Sequence, residues 1–260
     1  MAIQDAHGAG APKPSSVVAE DVLTPRRRTR ARAGAAAAAP APTFKILVTN
    51  QVDPYDRPLS SAALAALRAQ PFAPVSDNFA GTKRKAAKLS IADGVMKSFS
   101  DLNALIATFP PDSKMINRKP KIKDDATSGR VAEEKRNVSV SAFLYAASRE
   151  TDNDFHLIIG TDPNSALVCM TMEISALPSK NAASYDRIKK ARDAFKTLLG
   201  GKLPGPSYHF YRPPIPVKIG GSLFFDITHA TGGHPGPQDL RPHIPTIMEV
   251  HPVTKFEFTP

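Results

Sequence analysis

At 260 residues the chain is long enough to bury a sizeable core, and its single cysteine, Cys169, excludes a disulfide scaffold. Twenty-five prolines, no tryptophan and 7% aromatic residues exclude a collagen or a coiled coil, and no run of 18 apolar residues offers a membrane span. The formal net charge of +10 is uneven: residues 133–260 hold 14 Lys/Arg against 13 Asp/Glu, which leaves +9 to residues 1–132.

Residues 1–43 read as a disordered basic tail, with an arginine run opened by Arg26, Arg27 and Arg28 and an alanine tract at 35–39. The first residues lack the basic and apolar regions of a signal peptide, which points to the cytoplasm. Residues 44–110 read as a small α+β extension. It begins with a β-branched strand at 44–49 and a short helix capped by Ser60 or Ser61. Asp93-Gly94 signals a hairpin between 88–91 and 95–99, and Ser100 is placed to cap a helix that Pro110-Pro111 stops. Residues 111–130, polar and proline-containing, read as a linker.

The remaining residues, 131–260, are better patterned. Strands are expected at 137–145, 154–159 and 166–174, then a helix with Tyr185, Ile188, Ala191, Phe195 and Leu199 on one face, ended by Gly200-Gly201. Two more strands follow at 217–226 and 248–258, the first with Gly220-Gly221 suited to a bulge, the second with Pro252 demanding an edge or a bulge. Three strands, one helix and two strands predict a mainly β (α+β) domain, a five-stranded OB-like barrel whose helix lies between strands 3 and 4. Cys169, in an apolar run, reads as a buried, inert thiol.

Acidic and imidazole side chains gather at strand ends. Asp154 with His156, and Glu249 with His251, are two apart and so share a strand face; Asp226 and His229 sit where a strand enters a loop. If those ends converge, Asp226, His229 and His251 are candidate ligands for a divalent metal, with His156 and Glu249 as candidate acid–base or orienting groups. A polar cluster that only orders the loop is the alternative. His209, His234 and His243 lie among prolines and read as loop residues. For nucleic acid, Arg26, Arg27, Arg28, Lys83, Arg84 and Lys85 offer phosphate attraction and Tyr145 a stacking surface.

The segments DNFAGTKRKAAKLSI (77–91), EKRNV (134–138), DNDFHLII (152–159), GSLFFDITH (221–229) and MEVHPV (248–253) resemble an uncharacterised family of bacterial proteins. The resemblance spans about residues 77 to 258 and implies no activity. It does set His156, Asp226, His229, Glu249 and His251 inside the motifs that carry it. Three functions follow as expectations: a binding protein that meets nucleic acid through its basic front half, a metal-dependent hydrolase acting on phosphoesters, or a structural protein.

Overall fold

The computed structural model describes residues 11–25, 42–72 and 76–259. Among these are eight strands: β1 (Val17–Leu23), β2 (Phe44–Thr49), β3 (Met96–Phe99), β4 (Asn137–Arg149), β5 (Phe155–Gly160), β6 (Cys169–Ile174), β7 (His209–Phe225) and β8 (Met248–Phe258). Five α-helices accompany them: α1 (Ser61–Ala69), α2 (Lys85–Lys88), α3 (Leu102–Ile106), α4 (Asp112–Ile116) and α5 (Tyr185–Leu199). None of these helices is long and apolar enough to cross a membrane.

The strands form one mixed sheet in the order β1-β2-β7-β8-β6-β5-β4-β3, and a further β7–β4 pairing closes β4, β5, β6, β8 and β7 into a ring. This corrects the expected five-stranded OB-like barrel with one helix. The protein is mainly β, but three more strands continue the sheet and five helices are present. The difference lies partly in β7, which begins eight residues ahead of its apolar run. Its first residues pair with β2 as well as with β4, and Pro213 and Pro214 fall where β4 offers no partner, so their missing N–H groups cost no ladder bond.

Several local expectations are also corrected. Val17–Leu23, inside the supposed tail, is β1, while the run containing Arg26, Arg27 and Arg28 lies outside the described residues. The hairpin about Asp93-Gly94 is absent: Lys85–Lys88 is helical and β3 pairs in parallel with β4. Asp101, not Ser100, caps α3 by accepting Ala104 N–H at 2.8 Å. The supposed linker contains α4, with Met115 fully buried, and Arg130, whose guanidinium donates to the carbonyls of Ala87, Ser90, Leu223 and His251. Backbone carbonyls satisfy a buried guanidinium as well as a carboxylate does in number, so a polar stretch can be fully packed. His209 is in β7 rather than a loop, buried and held neutral by desolvation, its pKa lowered to about 3.

Period-2 alternation sorts the ring into two faces. Leu157, Ile159, Met170, Met172, Ile174, Val250 and Phe225 join the main core, where Phe195 of α5 packs on Phe155 and Phe256 with ring centroids 4.9 and 5.4 Å apart. The alternate residues, His156, Thr171, Glu173, Glu249 and His251, are carried on the opposite face and are buried nonetheless. Two glycines allow this close packing. A Cβ on Gly221 would stand 2.0 Å from the Pro252 carbonyl, so the β7–β8 bulge at Pro252 requires glycine there. A Cβ on Gly160 would meet the Tyr145 ring at 2.5 Å. Cys169 is buried, as expected, and desolvation pushes its thiol up to about 12. The native protein is therefore expected to resist iodoacetamide at pH 8 for hours, with rapid alkylation once denatured; mass spectrometry of both samples checks it.

Candidate metal centre and its cleft

Strand pairing assembles the site. His156 on β5 faces Glu173 on β6 directly across the antiparallel ladder, and the parallel bridge Met172↔Val250 sets Glu173 beside Glu249 and His251 of β8. Asp154 precedes β5 by one residue, and its Oδ1 accepts the Ala176 N–H at 2.6 Å, which pins the carboxylate. Lys88, the last residue of α2, reaches in from above with Nζ 3.2 Å from Asp152 Oδ2 and 3.8 Å from Glu173 Oε2.

Three groups of side chains place ligand atoms within 4.8 Å of one another: Asp154–Glu173–His251, Glu150–His156–Glu173 and Glu173–Asp226–Glu249. Glu173 belongs to all three. His251 donates from Nδ1 to Glu249 Oε1 at 3.2 Å, and Glu249 is itself held by the Thr171 hydroxyl at 3.2 Å. The other ring nitrogen, Nε2, lies 3.1 Å from Asp154 Oδ2, and Nδ1 lies 3.0 Å from Glu173 Oε2. Both are ion-pair distances without hydrogen-bond angles. Asp154 Oδ2, Glu173 Oε2 and His251 Nε2 therefore remain buried without hydrogen-bond partners. Such orphaned atoms are uncommon in a folded interior and call for an explanation.

The electrostatics explain why these groups are held as they are. Burial raises Glu173, but the His251 and Lys88 charges overcome it and keep this carboxyl well below its usual range. Burial opposes the charged forms of His251 and Lys88, yet the surrounding carboxylates, Glu173 foremost, hold both well above their usual values. Asp226 is lowered against burial by His229, Lys88 and the Thr228 hydrogen bonds. The remaining carboxyls lack enough positive charge: burial and the negative Glu173 push Glu249 up to about 8 and Glu150 well above the carboxylate range, and burial with Asp152 pushes Asp154 up to about 6. Positive charge is scarce among these acids, so burial and Glu173 shift both Glu249 and Glu150 toward their protonated forms.

A cleft of about 350 Å³ leads to the cluster, lined by Gly81, Lys83, Lys88, Glu150, Asp226 and His229 among others. His229 stacks on Tyr55 at 4.2 Å, and its Nδ1 lies 3.7 Å from Asp226 Oδ2. The Tyr55 hydroxyl donates to the His229 or Gly233 carbonyl, at 2.9 and 2.6 Å.

Of the sequence candidates, His156, Asp226, Glu249 and His251 do converge, while His229 stands on the cleft wall and belongs to none of the ligand groups found among the described residues. Glu173, Glu150 and Lys88 were missed. Glu173 is the central omission: its strand reads as mostly apolar, and the signal for it was the single carboxylate near the strand's end. On the nucleic-acid side, Lys83 and Lys85 are exposed as expected, but two assignments are corrected. Arg84 is 1% exposed and forms a two-pronged pair with Glu134 at 2.7 and 2.8 Å. Tyr145 is 3% exposed, packed on Gly160 with its hydroxyl donating to the Thr161 carbonyl, so it offers no stacking face. Comparison with family models, curated proteins and solved structures finds no match to this chain.

Proposed function

We propose that the protein is a divalent-cation-dependent hydrolase of phosphoesters, with a cation held by Asp154, Glu173 and His251. The observation that carries this reading is that Asp154 Oδ2, Glu173 Oε2 and His251 Nε2 are buried within one small space without a hydrogen bond, with ion-pair contacts of 3.1 and 3.0 Å to His251 holding the two carboxylates. Glu249 accepts the Nδ1–H of His251, an arrangement that leaves Nε2 to face a metal. Two carboxylates and one imidazole suit Mn²⁺, Zn²⁺ or Fe²⁺, and three protein ligands leave coordination positions for water and substrate. Held there, such an ion would lower the pKa of a bound water and so supply a nucleophile toward phosphorus near neutral pH. In the cleft, Lys83 and Lys88 attract the phosphate, and His229, steadied by Asp226 and Tyr55, is within the wall to protonate the leaving oxygen. The exposed Lys83 and Lys85 also favour polyanionic substrates such as nucleic acid.

The test is metal retention together with turnover. Protein stripped with chelator and reloaded with Mn²⁺ or Zn²⁺ is expected to keep the ion through desalting and to hydrolyse bis(p-nitrophenyl) phosphate. His251→Ala is expected to lose both by more than about 100-fold while keeping the β-rich circular dichroism spectrum. Wild type that retains no divalent ion after reloading overturns the reading, and the cluster then serves only to pin strand ends.

A further inference from the structure

Glu173 is shared by groups that are otherwise separate, and one of them, Glu150–His156–Glu173, is oriented by its own hydrogen-bond chain. The Tyr208 hydroxyl lies 3.2 Å from Asp53 Oδ2 and 2.7 Å from His156 Nδ1, all three side chains being buried. Asp53 Oδ2 already accepts the Gly236 N–H at 2.7 Å, and a carboxylate has acceptor capacity alone. Tyr208 therefore donates to Asp53, and its oxygen accepts the Nδ1–H of His156. That fixes the tautomer: Nε2 of His156 carries a lone pair, completely buried and with no hydrogen-bond partner. A neutral imidazole with its second nitrogen tied to a hydroxyl and a carboxylate is the arrangement in which histidine ligates metals.

Resting on the hydrolase reading above, we propose that the centre holds two divalent cations bridged by Glu173, the second one liganded by His156 and Glu150. Glu173 has two carboxylate oxygens and is within reach of both ligand sets, so it supplies one to each ion. Asp154 and His251 complete the inner position. Glu150 lines the cleft with a side chain 22% exposed, which makes the second position the one that faces substrate. Lys88 Nζ is engaged with Asp152 at 3.2 Å, so the ammonium has a partner apart from Glu173. A pair of ions a few ångströms apart stabilises both the attacking and the leaving oxygen of an in-line displacement, which fits the phosphoester and specifies it: the substrate bridges the ions through a phosphoryl oxygen.

The experiment is a titration of chelator-stripped full-length protein with Mn²⁺, read by elemental analysis after desalting and by electron paramagnetic resonance. Two ions per chain with an exchange-coupled signal are expected for the wild type. His156→Ala is expected to hold one ion with an uncoupled six-line signal, and Tyr208→Phe, which keeps the ring and removes only the orienting hydroxyl, to weaken the second ion about 10- to 100-fold and leave the first unchanged. One ion per chain in the wild type, unaffected by either substitution, overturns the pair and leaves the single-cation hydrolase standing. No ion in the wild type overturns both. Should His156→Ala fail to fold, Tyr208→Phe still decides: equal affinity at both positions in this variant and the wild type removes the role given to the Asp53–Tyr208–His156 chain and, with it, the second site.

Discussion

Glu134→Ala is expected to lower stability by about 3–5 kcal/mol and the melting temperature by about 10 °C, measured by urea and thermal unfolding followed by circular dichroism. Glu134 is wholly buried and uses both oxygens twice: Oε1 accepts from Arg84 and from the Phe225 N–H at 2.8 Å, Oε2 from Arg84 and from the Val131 N–H at 2.7 Å. Removing it strands a guanidinium at 1% exposure that has nowhere to reach water. Arg84 keeps hydrogen bonds to the Phe225 and Gly129 carbonyls, both at 2.9 Å, and its place over the Phe224 ring at 4.5 Å, but these leave its charge uncompensated. The double variant Arg84→Met, Glu134→Leu is expected to regain only the part of the loss that comes from the unpaired guanidinium, because the Phe225 and Val131 N–H groups still lack their acceptor. If the single variant melts within about 2 °C of wild type, the pair is not the fastening that the geometry describes. Arg84 also holds a left-handed backbone, φ 47°, at the start of α2, the short helix that carries Lys88 to the acidic cluster.

Glu173→Gln is expected to abolish divalent-cation retention and phosphoester turnover, each by more than about 100-fold. A change confined to an orienting group costs about 10- to 100-fold in such sites, and Glu173 is a ligand common to every group found. The substitution keeps the shape of the side chain and removes its charge, which separates ligation from packing. A second readout follows from the same charge. Glu173 is the anion that most favours the protonated forms of both His251 and Lys88. Metal-free Glu173→Gln should therefore melt below metal-free wild type, since one or both of those buried cations loses its partner. Unchanged Mn²⁺ retention in this variant would remove Glu173 from the centre and the cation reading with it.

The legibility of the fold followed local chemistry. The helix α5 and strands β2, β5, β6 and β8 were readable because each has its own period or its own stop, such as Gly200 with φ 57°. What escaped was non-local. β1 owes its place to pairing with β2, which leaves no mark in its own segment; β3 was legible as a strand at 95–99, but its parallel partner β4, some forty residues later, was not. The site divides the same way. His156, Glu249 and His251 announced themselves through two-residue spacing on a strand, whereas Glu173 earns its importance by lying across from His156 and alongside His251, a fact of register. Arg84 and Tyr145 show the converse. A basic residue in a basic run and an aromatic on a strand look exposed until a buried acid or a facing glycine is known to receive them.

The closing strand sets an order of events during synthesis. β8 seats between β6 and β7, and the ring cannot shut until it does. Glu249 and His251 ride on that strand, so a nascent chain lacking it has Glu173, Asp154 and His156 in hand without the imidazole that helps keep Glu173 ionised. Until β8 leaves the ribosome, β6 and the last part of β7 present unpaired edges to the cell, a state that invites chaperones and wrong partners. β8 is thus the strand that both seals the ring and brings Glu249 and His251 to the buried acidic cluster, so closing the sheet and assembling the candidate site are one event.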